Sequence, residues 1–494
     1  MDPNDPLDLF LPPVREWFRT ALGEPTAPQR QGWPLIAAAK HTLILAPTGS
    51  GKTLAAFLAC LDHLWRQEAG PADGVRVLYV SPLKALNNDI ARNLQHPLEG
   101  VTETARRMGY ELPALEAAVR TGDTPSAERQ RLIRRPPHIL ITTPESLHLL
   151  LTSRGRDTLR GVTHCIIDEI HALCANKRGV FLALLLERLQ AINPSGFVRI
   201  GLSATQRPLD EVARFLGGAE PDAEGRFTPR PVSVVDAGLR KDLDLRVVSP
   251  VEQFGPMPEG SVWPSIYRQL GDLIREHRST IVFANDRRSV ERITSFLNED
   301  EEIARAHHGS VSLEVRRDVE SALKEGRLPA VVATASLELG IDMGAVDLVC
   351  QVASPGNVAR ALQRVGRAGH LVGQRSKGRL IPKTAGDLLE QAVLAKEMVA
   401  GRVEAIRTPV NCLDVLAQQL VALAAMDDWT VPELYALVRR AHPYRDLSPQ
   451  AFETTLEMIS GRYRFAPSLP SPLAGVGGGA SEAMPPHPNP PPRG

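Results

Sequence analysis

Between residues 40 and 382 short apolar runs alternate with stretches of helical period. The runs "HTLILA" (41–46), "VRVLYVS" (75–81), "HILITT" (138–143), "HCIID" (164–168) and "VRIGLS" (198–203) read as strands. A Gly/Pro/Asp-rich gap follows at 217–231, and then the pattern resumes. The second set is "STIVFA" (279–284), "AVVAT" (330–334), "DLVCQV" (347–352) and "GRLIP" (378–382). Apolar strands alternating with helices predict parallel sheets covered on both faces. The gap predicts two α/β domains, over 1–225 and 236–402.

The period changes after residue 403. Val410, Leu413, Leu416, Ala417, Leu420, Val421 and Ala424 recur at helical spacing, which predicts an apolar helix face. "TVPE" places Thr430 as N-cap with Glu433 three residues on, a capping box. Ser448 and Pro449 open another helix, with Phe452, Leu456 and Ile459 on one face. The stretch 403–465 therefore reads as a small helical module, with "GRYRF" starting a strand. From Ala466 the composition collapses to Pro, Gly, Ser and Ala, which predicts a disordered tail over 466–494.

Composition narrows the field. At ~150 residues per domain, 494 residues suggest about three domains. The 57 Lys+Arg balance the 57 Asp+Glu, so a nucleic-acid track has to be local and not a global field. Five scattered cysteines with no C-x-x-C pair indicate neither a disulfide framework nor a zinc site. No apolar run approaches ~20 residues and no signal-peptide pattern opens the chain, which predicts no membrane span and a cytoplasmic location.

The chemistry concentrates in two places. "APTGSGKT" (46–53) follows a strand and opens an apolar helix. Thr48, Gly49, Ser50 and Gly51 would curl backbone N–H groups around a phosphate. Lys52 would reach the β- and γ-phosphates, and the Thr53 hydroxyl would hold Mg²⁺. Ala46 stands where the simplest motif has Gly. The second place is "HCIIDEIHALCANKRG" (164–179), where two carboxylates end a buried strand. Strands of one parallel sheet end at one edge, so Asp168 would lie beside the loop and hold Mg²⁺, and Glu169 would act as general base on water. Gln29, upstream of the loop, is a candidate adenine reader, with Trp17 or Phe18 to stack. In the second half, "ATASLELGIDMG" (333–344) supplies Gly340 and Asp342, the latter for a ribose hydroxyl. "QRVGRAGH" (363–370) supplies Gln363 and two candidate arginine fingers, Arg364 and Arg367. His307 and His308 read as a strand-end loop, the basic stretch 128–138 as a solvated helix, and Cys60, Cys165 and Cys350 as core.

The series also includes "SPLKALNND" (81–89), "RTGDT" (120–124), "TTPESL" (142–147), "SAT" (203–205) and "IVFANDRRSVERI" (281–293). Together these resemble the ordered motif set of a superfamily 2 helicase. "DEIH" followed by "ALCANKRG", with "PLKALNNDIARNL" and "TPESLHLLLTS", resembles the Lhr (large helicase-related) family, over roughly residues 10 to 465. The resemblance implies two tandem RecA-like parallel-sheet domains, a small winged-helix domain over 403–465, and ATP with Mg²⁺ as cofactors. It implies a 3′→5′ translocase on single-stranded DNA that unwinds DNA or RNA:DNA duplexes, a DNA-repair role, and nucleic acid as partner. Carried over by motif, Lys84, Thr143 and Thr334 fall in segments that hold strand phosphates. His171, Ser203 and Thr205 would couple the ATP state to domain movement. His370 stands where DEAD-box proteins have a further Arg, which favours Arg367 as the finger. The family continues past the winged helix, so this chain reads as truncated, with 466–494 non-native in origin. The competing readings are an RNA helicase or remodeller and an ATP-switched binding fragment that does not unwind.

Overall fold

The structure is a computed structural model that describes residues 5–47, 49–67, 74–204, 206–237, 242–255, 261–338, 346–369 and 375–462. The first sheet contains β1 (Thr42–Leu45), β2 (Val77–Val80), β3 (Ala117–Arg120), β4 (Ile139–Thr142), β5 (His164–Ile167) and β6 (Val198–Ser203). An antiparallel hairpin, β7 (Ala219–Pro221) and β8 (Phe227–Pro229), precedes β9 (Ser233–Asp236). The sheet order is β3-β4-β2-β5-β6-β1-β9, and every pairing is parallel. The central strands are buried throughout, which is why they read as unbroken apolar runs.

Four strands of the first domain escaped the hydrophobic pattern for a common reason. β3 and β9 are edge strands with exposed positions, and β7 and β8 form a largely exposed hairpin. Thus the 217–231 gap is structured, and β9 lies beyond the expected boundary at 225. β9 pairs with β1 in register Thr42↔Ser233 to Leu45↔Asp236, so the first sheet takes in residues up to Asp236.

The second sheet contains β10 (Leu243–Val247), β11 (Thr280–Phe283), β12 (Ala304–His307), β13 (Ala330–Ala333), β14 (Leu348–Val352) and β15 (Ser376–Ile381). Its order is β10-β15-β14-β11-β13-β12, again all parallel. Two mixed α/β domains with parallel sheets are therefore present, as the alternation predicts.

Three helices follow: Leu413–Ala424, Val431–Arg440 and Pro449–Ile459. Thr430 and Glu433 form the expected capping box, and Ser448 Oγ accepts from Ala451 N at 3.2 Å. Phe452 is buried, with Leu456 and Ile459 packed beside it, as the period predicts. The face of Leu413–Ala424 is different. Leu416, Gln419, Leu420 and Leu423 are buried, while Val410, Leu413 and Val421 are exposed. A helix that presents apolar residues on most of its surface has no unique inner face by period alone.

That inner face is chosen by docking. Leu416, Leu420, Leu434, Leu437 and Val438 share one core with Leu147, Leu150, Leu182 and Leu185 of the first domain. Polar contacts line the junction. Arg188 Nη1 donates to Gln419 Oε1 at 2.8 Å, Lys177 Nζ to Asp414 at 2.7 Å, and Arg156 makes a two-armed pair with Asp427. Residues 463–494, which hold the expected wing strand and disordered tail, lie outside the described residues. Among the described residues no helix is long and apolar enough to cross a membrane.

Candidate functional site

The site assembles at the C-terminal edge of the first sheet, where loops from β1 and β5 emerge side by side around β6. After β1 the chain turns through Gly49 (φ 82°) and Gly51 (φ 81°), both left-handed, into the helix Lys52–Arg66. A side chain at Gly51 would meet the Gln29 amide nitrogen at 2.7 Å. Gln29 is buried against this turn. Its Oε1 accepts from Thr26 N at 2.8 Å and its Nε2 approaches the Gly51 carbonyl at 3.4 Å. The residue expected to read adenine is thus engaged in holding the loop. Ser50 Oγ donates to the Pro47 carbonyl at 2.7 Å.

Lys52 is buried, and its Nζ has no hydrogen-bond partner; Glu169 Oε1 lies 3.6 Å away. Asp168 and Glu169 are also buried. Glu169 adopts φ 46°, a left-handed conformation that costs on the order of 1–2 kcal/mol for a residue with a Cβ. Burial, reinforced by Glu169, pushes the Asp168 carboxyl up to about 6. Burial alone would raise Glu169 too, but Lys52, then His171 and Arg367, hold it below its ordinary value. Tyr79 donates its hydroxyl to Asp168 Oδ2, and Glu169 N donates to Asp168 Oδ1 at 2.8 Å. Sequence reasoning missed Tyr79, because a Tyr inside an apolar strand is indistinguishable from a core residue until the register of β2 against β5 is known.

These groups line a cavity of about 560 Å³ with Gly49, Thr53 and Trp17. Trp17 therefore reaches the site, while Phe18 packs edge-on against Trp33 in the core. The residues fit a nucleotide triphosphate with a divalent cation. The turn is glycine-lined, the lysine ammonium is orphaned, and a buried carboxylate pair has one member pushed toward its protonated form by burial and its neighbour.

His171 sits on the short helix Ile170–Cys174 beside this pair, with Nε2 at 3.3 Å from Glu169 Oε2. Burial lowers its basicity, so the ring is neutral. Its Nδ1 is 3.2 Å from Ser203 Oγ, whose own proton goes to the Ala204 carbonyl at 2.8 Å. From the second domain, Gln363 Nε2 comes within 2.6 Å of His171 Nε2. The residue expected to touch ATP thus reaches across to the histidine.

Gln363 belongs to the helix Val358–Val365, capped by Asn357. Its neighbour Arg364 is buried and fully engaged within the second domain. It binds Glu338 with Nε at 2.7 Å, Gln351 Oε1 at 2.6 Å and Asn285 at 3.3 Å, and lies over Phe283. Arg367 donates to the Glu338 carbonyl at 2.8 Å and is one of the charges that hold Glu169 low. Of the two arginines, Arg367 is the one whose charge acts on Glu169. Glu338 lies within the 333–344 block without having been singled out, and Gln351 lies in an apolar run; their role exists only once the strands are paired.

Among the strand-binding candidates, Lys84 opens the helix Lys84–Arg107, and buried Thr143 caps Pro144–Leu151 by accepting from Ser146 N at 3.4 Å. Thr334 precedes the short turn Ala335–Leu337 at the end of β13. Thr48, Thr205, Gly340 and Asp342 lie outside the described residues. His307 is held by Ser336 Oγ at 2.8 Å and Glu320 at 2.9 Å, and His308 by Glu291 at 2.6 Å. Cys60, Cys165 and Cys350 are buried, free thiols.

Known proteins carry the same sequence blocks. The family model for DEAD/DEAH box helicases matches residues 26–212, and that for the helicase conserved C-terminal domain matches 265–371. The model for the large helicase-related protein winged helix domain matches 396–467. A Lhr helicase/uracil glycosylase from Escherichia coli is 48% identical over 94% of this chain. The chain belongs to the Lhr family.

An ATP-dependent helicase Lhr-Core from Methanocaldococcus jannaschii is 45% identical over 92% of the chain. The helicase Lhr of Mycobacterium smegmatis, solved bound to ssDNA and AMP-PNP, superposes with a TM-score of 0.85 at 50% identity over 92% of the chain. The chain spans 33% of the Escherichia coli Lhr protein, 53% of the Lhr-Core protein and 58% of the solved Lhr chain. Within the Lhr fold, the two parallel-sheet domains are RecA-like, and the docked helices are the winged-helix domain.

Proposed function

We propose that this chain is the motor of an ATP-dependent helicase that moves 3′→5′ along single-stranded DNA. It would separate DNA or RNA:DNA duplexes by cycles of closure between its two RecA-like domains. The observation that carries this reading is the 2.6 Å approach of Gln363 to His171, which joins the helix Val358–Val365 of the second domain to the histidine beside the carboxylates of the first. Mg²⁺, when bound, supplies charge neutralisation at the phosphates. The chain's own residues do the rest. Lys52 holds the β- and γ-phosphates, Thr53 and Asp168 are the cation's ligands, and Glu169, kept ionised by Lys52, takes the proton of the attacking water. Tyr79 orients Asp168. Arg367 offsets charge on the transferring phosphoryl group, and Arg364 positions the Glu338 segment that holds Arg367.

Strand binding falls to the sheet edges that carry Lys84, Thr143 and Thr334, through backbone donors indifferent to base sequence. The solved Lhr relative holds ssDNA and AMP-PNP, in keeping with this assignment. The test is steady-state ATP hydrolysis with and without a 3′-tailed DNA strand, with Glu169→Gln as control. Stimulation by the strand that is lost in Glu169→Gln is expected. Equal hydrolysis with and without strand, or full activity in Glu169→Gln, would refute the reading. A matched RNA strand that stimulates better than DNA would move the substrate assignment to RNA.

A further inference from the structure

The helix Val358–Val365 carries Gln363 near its end, and Arg367 follows directly after its C-cap, Gly366. The anchoring of the other end decides where those two residues sit. A helix leaves the N–H groups of its first turn without partners of its own. Here Arg360 N donates to the Asn357 side chain at 2.8 Å. The two N–H groups before it go to a residue far along the chain. Val358 N donates to Glu404 Oε1 at 2.6 Å and Ala359 N to Glu404 Oε2 at 3.2 Å, across 46 and 45 residues. One carboxylate thus takes both remaining donors, at the helix end where negative charge is favoured.

Glu404 lies where the chain crosses from the second domain to the winged helix. Val403 packs against the second-domain core, and Ile406 against the core shared by the first domain and the winged helix. Those three steps span at most about 11 Å. Between them Ala405 forms a parallel bridge with Arg207, and Ile406 N donates to the Arg207 carbonyl at 2.8 Å. Arg207 lies two residues beyond the "SAT" block. Thr408 N then donates to Glu211 Oε1 at 3.3 Å, on the helix Leu209–Gly217. The strap 403–408 is therefore fastened twice to the first domain and once, through Glu404, to the start of the helix Val358–Val365. With so short a crossing, the second domain must pivot beside the strap when it moves against the first.

We propose that Glu404 is a positioning residue for ATP hydrolysis, pinning the start of the helix Val358–Val365 to this pivot so that closure delivers Gln363 to His171 and Arg367 to the phosphoryl group. This rests on the motor reading above and adds to it a residue outside every block of the nucleotide site. Glu404 is exposed, so its removal leaves no buried charge behind. What is lost is the fixed start of the helix, and with it the placement of the two residues at the far end. Lys52 and the phosphate loop are untouched, so the loss falls on turnover and not on ATP binding.

The experiment uses the full chain with Glu404→Ala and Glu404→Gln, the latter keeping one acceptor for the two N–H groups. ATP hydrolysis is measured under saturating single-stranded DNA, together with the KM for ATP and the melting temperature. For Glu404→Ala, kcat about fivefold lower or more is expected with KM within about twofold of the parent's, and Glu404→Gln should fall between the two. The deciding arm repeats Glu404→Ala in an Arg367→Ala background, read as single-turnover hydrolysis. A residue that acts through the helix has no further effect once the arginine is gone. The same fractional loss in both backgrounds would overturn the proposal, and so would a raised KM at parental kcat. A lowered melting temperature with parental kcat would make the contact structural only and overturn it as well. If Glu404→Ala does not fold, Glu404→Gln carries the same comparison. A parent without strand-stimulated hydrolysis would overturn the motor reading and this assignment with it, whereas a stimulated parent indifferent to Glu404 would overturn this assignment alone.

Discussion

Removing the Gln363 amide tests the closure mechanism at its narrowest point. The neutral His171 ring has Nε2 2.6 Å from the Gln363 amide nitrogen and Nδ1 3.2 Å from Ser203 Oγ, so one imidazole joins the second domain to the end of β6. Gln363→Ala deletes one polar contact at a buried ring nitrogen. Such a deletion costs about 1–3 kcal/mol, against 0.5–1.5 kcal/mol for the bond itself. If the contact forms only in the closed state, the loss falls on kcat of the strand-stimulated ATPase, by roughly 5- to 150-fold. The KM for ATP should move little, because Lys52 and the phosphate loop are untouched. The decisive assay is a double-mutant cycle with His171→Ala, read in kcat under saturating strand and ATP. Residues in contact should show a coupling energy of at least about 1 kcal/mol, so the double variant is barely worse than either single one. Additivity within about 0.5 kcal/mol would refute the argument, since it would mean that the two residues act independently in turnover.

Three further outcomes follow from the structure. Glu187 is buried and accepts from Arg199 and from both arms of Arg230, so Glu187→Gln should destabilise the first domain by about 3–5 kcal/mol, read as a lower melting temperature. His164 is buried, and burial, then His63, brings its pKa down to about 4. With the folded value depressed, its neutral form contributes stability that is full above the unfolded value near 6.5 and is lost as pH falls toward 4, by roughly 3 kcal/mol. His164→Phe should flatten the melting-temperature profile over that window, though not fully, because His41 is depressed in the same sense. At the winged-helix junction, Gln419→Leu strands the buried Arg188 and should cost about 1–3 kcal/mol, whereas Asp427→Ala at the exposed rim should cost under about 1 kcal/mol. Limited proteolysis at the 403–413 connection distinguishes them, with early cleavage expected only in Gln419→Leu.

Much of the fold and site was legible because local physics dictates it. Strands buried on both faces must be continuous apolar runs, so β1, β2, β4, β5, β6 and β11 were visible, with β13 to β15. A phosphate loop needs glycines at left-handed positions and a lysine directly after them, which placed Gly49, Gly51 and Lys52 before any coordinates. Caps are equally local, as Thr430 and Ser448 show. Edge strands such as β3 and β9 carry no such mark, because one side of each faces solvent.

What only the tertiary structure decided is which partner each polar group finds. Gln29 was a base reader in the sequence alone, and only the fold shows that its amide also lies against the Gly51 carbonyl. Arg364 and Arg367 are three residues apart in one motif, yet Glu338 claims the first side chain while the charge of the second helps hold Glu169 low. Tyr79 and Gln419 are silent in sequence, since their meaning comes from register and docking between segments far apart in the chain. Period and propensity act over a few residues and so can be read along the chain. Charge compensation and hydrogen-bond pairing act through space, and only the folded chain settles them.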